Sequence, residues 1–157
     1  MEDDRRAWLR LAGANLALIV ALLHLGLGLV NWLRYLSGGV LVPTDIRWPL
    51  FVISGVAMLA GLALAREPRY RTPLYAGGML LMVVYIVGYF GWHVGGHRRL
   101  ILFGPSTHHD VPLLPFLVDH LFAGVIEFVA IVTEVALFVV LGYLIYAELN
   151  HGSPTEV

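Results

Sequence analysis

Residues 115–147 read PFLVDHLFAGVIEFVAIVTEVALFVVLGYLIYA, an apolar run interrupted only by Asp119, His120, Glu127 and Glu134 among ionisable groups. Such a run exceeds the ~20 helical residues needed to cross a hydrocarbon core of about 30 Å. It therefore predicts a membrane-spanning helix. The polar exceptions are ordered as well: His120, Glu127 and Glu134 recur in steps of seven, and seven residues of α-helix return to the same face with a drift of only ~20°. They form one stripe, which Glu148 extends to the end of the run.

Three further stretches have the same character. One runs from about 8 to 33, broken by Asn15 and His24; a second covers 49–65, entered through Trp48 and Pro49; a third covers 73–96 and carries Tyr85, Tyr89, Trp92 and His93. A proline in the first turn suits a helix start. The first stretch is longer than the ~7 to 15 apolar residues of a signal peptide and shows no small-x-small cleavage pattern, so it reads as a retained helix. The linkers are short. The expectation is a single all-α domain over 1–157, a four-helix transmembrane bundle with antiparallel neighbours in a cell membrane.

Composition agrees. Of 157 residues, 59% are hydrophobic and 13% charged, with a mean hydropathy of +0.78, against roughly 25% charged in a soluble domain. The net charge of -1 gives no basic surface for nucleic acid. Cysteine is absent, which excludes disulfides, thiolate metal sites and a cysteine nucleophile. The ten basic residues are all arginine. Six of them (5, 6, 10, 66, 69 and 71) fall on one side of the predicted spans and four (34, 47, 98 and 99) on the other. Positive charge collects on the cytoplasmic side, so both termini are expected inside.

Ionisable groups at membrane depth cost roughly 2.5 to 3.5 kcal/mol on the insertion scale, so they face the bundle and find partners. With outer boundaries set near Val30 and Leu121, His24 and Glu127 lie at the same depth, and a His24–Glu127 pair is expected. Ser54, Tyr85 and Tyr89 come to a comparable level and would complete a buried polar layer. Glu134, deeper, finds its nearest amide in Asn15.

A second group gathers at the outer surface: His93, His97, His108, His109 and His120, five of the seven histidines, with Asp110. His93 and His97 have the i,i+4 spacing that places two imidazoles on one helical face. With loop donors they suit zinc or copper rather than magnesium or calcium, which take oxygen ligands. A b-type haem between His24 and His93, or a quinone in the His24, Tyr89 and Glu127 layer, is a further alternative. The plain reading of all these residues is hydrogen bonding between packed helices. Gly91 and Gly95 have the small-residue spacing that allows close helix approach, within the bundle or between copies in a homo-oligomer or larger membrane complex.

No motif fixes a reaction. There is no nucleophile elbow, no His-Glu-x-x-His helix and no phosphate loop, and the chain has no lysine. The function expected is a histidine and carboxylate site in the outer half of the bundle that binds a transition metal or relays protons, as an accessory of a redox or transport system. The competing expectation is a non-catalytic structural or assembly subunit.

Overall fold

The computed structural model describes residues 2–96 and 112–151. In chain order it contains α1 (Glu2–Ser37), α2 (Arg47–Leu64), a single 3-10 turn (Pro68–Tyr70), α3 (Arg71–Val94), α4 (Leu113–Ala123) and α5 (Val125–His151). No strand occurs among the described residues. Four helices are long and apolar enough to cross a membrane: those within 4–37, 47–64, 68–94 and 125–150. Large apolar side chains such as Leu22, Leu33, Ile53, Leu80 and Val139 face outward, as helices able to cross a membrane would present them.

The stretch that was expected to be one helix is two. Gly124 adopts an extended conformation (φ -133°, ψ 136°) between α4 and α5, and its carbonyl accepts the first bond of α5 from Phe128 N at 3.1 Å. Gly124 is thus the N-cap of α5. Glycine gains least from helical conformation and is tolerated at caps. Glu127 is three residues into the new helix, where a carboxylate complements the helix dipole. Its carboxylate folds back over Gly124 closely enough to overlap a Cβ placed there. The stripe of seven-residue steps is therefore cut: His120 belongs to α4, while Glu127 and Glu134 belong to α5.

Neighbouring helices run antiparallel, in the order α2, α1, α5, α3. Packing is extensive for α1 on α2, α3 on α5 and α1 on α5, and sparse for α2 on α3. The first of these contacts depends on two glycines. A Cβ on Gly28 would stand 2.8 Å from the Trp48 carbonyl oxygen and 2.9 Å from the Val52 nitrogen; one on Gly55 would stand 3.0 Å from the Ala21 oxygen. Backbone approaches backbone there, as small residues allow between helices in lipid. Gly91 plays no such part among the described residues, since a Cβ on it meets nothing within 4 Å.

Val20, Met82, Tyr85, Leu137, Leu141 and Leu144 form the centre of the core, between α1, α3 and α5. The α2–α3 seam is left partly open. Midway along, the Tyr85 hydroxyl bridges it by donating to Ser54 Oγ at 2.5 Å.

Candidate functional site

All four long helices contribute to the polar layer: His24 from α1, Ser54 from α2, Tyr85 from α3 and Glu134 from α5. His24 of α1 and Glu134 of α5 are 5% and 2% exposed, and His24 Nε2 lies 3.4 Å from Glu134 Oε1. His24 Nδ1 lies 3.0 Å from the Val20 carbonyl oxygen. A carbonyl only accepts, so Nδ1 carries the hydrogen and Nε2 is the nitrogen presented to the carboxyl group. The imidazole stacks on the Tyr85 ring at 3.7 Å, with 6° between the planes, and Phe51 meets it edge-on at 4.8 Å. Packing fixes the ring in place. Tyr85 is held in turn by Ser54, whose hydroxyl donates to the Leu50 carbonyl at 2.7 Å.

Glu134 has one oxygen left over. Its Oε2 is buried without a hydrogen-bond partner. The partner of His24 is thus Glu134 and not Glu127. With α5 starting at Val125, Glu127 sits in its first turn, exposed, while Glu134 lies two turns further in, beside His24. Asn15 does not reach Glu134. It is exposed and its amide donates to the Leu11 carbonyl at 2.8 Å on its own helix.

The second group lies toward the outer ends. His93 of α3, 7% exposed, meets His120 of α4 with ring centroids 5.1 Å apart and planes at 73°. Their Nδ1 atoms lie 2.8 and 2.9 Å from the carbonyls of Tyr89 and Phe116, each four residues earlier. Phe116 packs against His120 at 4.0 Å. His97, His108, His109 and Asp110 lie outside the described residues. Among the described residues no three or more donors are placed to hold a metal ion.

Tyr85, Tyr89 and His93 succeed one another at four-residue intervals on α3, so one face of that helix runs from the midplane pair to the outer histidines over ~12 Å. The Tyr89 hydroxyl is buried midway without a hydrogen-bond partner. His24 is stacked on Tyr85, two turns from His93, so these histidines do not face each other across a haem. Next to Glu134 comes an apolar layer, in which Val20, Met82 and Leu137 are fully buried.

One element of this region had no place in the reading of the sequence. Asp45, 5% exposed, binds Arg47 through two parallel contacts, Nε to Oδ1 at 2.9 Å and Nη2 to Oδ2 at 2.6 Å. The guanidinium then lies over the Trp92 ring at 3.7 Å and the Trp48 ring at 4.9 Å. This clamp ties the α1–α2 loop to α3 beside His93. The Asp-x-Arg-Trp order was the available signal, because a planar guanidinium both pairs with a carboxylate and stacks on an indole. Comparison with protein-family models, with curated proteins and with solved structures gives no match.

Proposed function

We propose that this is a small multi-pass membrane protein in which the His24–Glu134 couple holds and releases a proton near the middle of the bundle, fed from the outer histidines by way of Tyr89. The observation that carries this is the contact of a tautomer-fixed imidazole with a buried carboxyl group whose second oxygen is unpartnered. One proton between Nε2 and Oε1 gives either an imidazolium with a carboxylate or a neutral imidazole with a carboxylic acid. Both forms are neutral overall, so the proton shifts between the two groups without creating net charge in low dielectric, and its release leaves a neutral imidazole beside the Glu134 carboxylate, a net charge of one that the site must bear. The apolar plug of Val20, Met82 and Leu137 makes the couple a one-sided loading site instead of a channel. Such a site suits an accessory of a redox or transport system with both termini cytoplasmic.

Infrared difference spectroscopy of the protein in nanodiscs, driven by a pH step, tests the reading. A carboxylic C=O band is expected that vanishes in Glu134→Gln and responds more slowly in Tyr89→Phe. A folded protein with no such titrating band, or a band indifferent to both changes, favours the competing reading of a structural subunit whose polar residues only join helices.

The His93–His120 contact supports a second reading, a zinc or copper site. Metal-bound histidines commonly donate their other ring N–H to a carbonyl or carboxylate, the arrangement both rings have here. The remaining donors would come from His97, His108, His109 or Asp110. Elemental analysis before and after His93→Ala decides it: metal retained and then lost supports the site, and metal-free protein that takes up neither ion removes it.

A further inference from the structure

We infer that the open seam between α2 and α3 binds an anionic phospholipid, with an acyl chain in the seam and the phosphate between Arg66 and Arg71. A cavity of ≈ 760 Å³ lies here, on the opposite side of the Tyr85–Ser54 bridge from the outer histidines. That is within the size of ligand-binding clefts in general, ~300 to 1,000 Å³. Apart from Asn15 and Tyr75, its walls away from the arginines are apolar or small, among them Leu18, Ala57, Gly61, Gly77, Leu81 and Leu137.

The mouth has the opposite chemistry. Arg10, Arg66 and Arg71 line it. Arg10 is neutralised by Glu148 at 2.8 Å, and Glu67, although next to Arg66, is not part of the lining. Two guanidinium charges therefore remain. Arg71 is held across the α2–α3 turn by donation from Nε to the Ala65 carbonyl at 3.2 Å, which leaves its terminal nitrogens for a phosphate. Arg66 is exposed beside it.

Length points to the same occupant. From Arg10 to Leu18 on α1, the cleft runs ~12 Å, close to the ~15 Å that is half a hydrocarbon core. A lipid of that leaflet would lie along the seam with its headgroup at the arginines and its chain ending near Leu81 and Leu137. This is also the arginine-rich side, which is expected to face the cytoplasmic leaflet with its anionic lipids. A neutral isoprenoid such as a quinone matches the walls and leaves both charges unanswered.

The test is native mass spectrometry of protein released from nanodiscs of equal phosphatidylglycerol and phosphatidylcholine. One retained phosphatidylglycerol per chain is expected. Replacing both Arg66→Gln and Arg71→Gln should cut its preference over phosphatidylcholine about thirtyfold, the combined effect of two arginines at an anionic surface. Gly77→Leu, whose side chain would enter the seam because a Cβ there meets nothing within 4 Å, should reduce retention of both lipids. Thermal unfolding checks that each variant folds, and exposed Arg66→Gln alone carries the test if the double variant does not. Equal retention of both lipids, preference undiminished by the arginine changes, or no retained lipid overturns the inference. So does a dimer that cross-links through Gly77→Cys, for then a second copy covers the seam.

Discussion

The two halves of the bundle are closed in different ways. In the half that holds His93 and His120, called outer from its expected orientation, α1 and α2 touch backbone to backbone at Gly28 and Gly55, and Arg47 clasps Asp45 and two indoles. In the inner half α2 and α3 diverge, small residues line a cleft, and arginines stand at its mouth. Polar groups and their ring contacts are concentrated where the helices are tight, and of these Glu134 Oε2 and the Tyr89 hydroxyl keep no hydrogen-bond partner. Where the helices separate, the walls are mostly apolar, with Asn15 and Tyr75 among them. In lipid this division is required, since an unpartnered polar group has no water to turn to. It also separates two kinds of surroundings: an enclosed histidine–carboxyl contact in one half, and an open cleft in the other.

The couple joins the two regimes, and disrupting it should have the largest effect. His24→Leu leaves Glu134 buried with neither oxygen matched, and a lone ionised group at a helix centre costs roughly 2.5 to 3.5 kcal/mol. The double change His24→Leu with Glu134→Leu removes the mismatch and should restore most of the stability. Thermal or steric-trap unfolding of the two variants measures the difference. If the single change is as mild as the double one, the pair contributes little to closing the bundle.

Gly28→Ala comes next. The added methyl would meet the Trp48 carbonyl and the Val52 backbone, neither of which can rotate away, so α1 and α2 must part. Overpacking of this kind costs typically ~1 to 3 kcal/mol. An unfolding free energy unchanged by Gly28→Ala would show that the outer crossing is not close-packed.

Much of the architecture was legible because lipid restricts the choices. Four spans, their antiparallel order and the involvement of His24, Ser54, Tyr85 and Glu134 follow from hydropathy and from the cost of buried charge. The pairing was not legible, because it depends on where the fourth span begins. Gly124 is one glycine within an apolar run, and sequence periodicity passes over it. Only the extended backbone at that residue separates His120 from Glu127 and moves Glu134 up to His24. The Gly91 and Gly95 spacing makes a related point within this chain. Spacing shows that close approach is feasible, and the helix that arrives decides whether it occurs: α2 arrives at Gly28, and no described atom lies near Gly91.

The smallest effect belongs to the inner half and sharpens the contrast most directly. Gly77 lines the cleft, and a Cβ there meets nothing within 4 Å. Gly77→Ala therefore adds a methyl group to open space, while alanine is favoured over glycine inside a helix by ~0.8 to 1.0 kcal/mol in water. The variant should be as stable as the parent or more stable by a fraction of that amount, because neighbouring lipid already restrains the chain. Measured in parallel, Gly28→Ala and Gly77→Ala make the same chemical change in the two halves of the molecule with opposite expected signs. A clear loss of stability from Gly77→Ala would mean that something fills the inner seam tightly enough to exclude one methyl group, and the cleft would have to be regarded as closed.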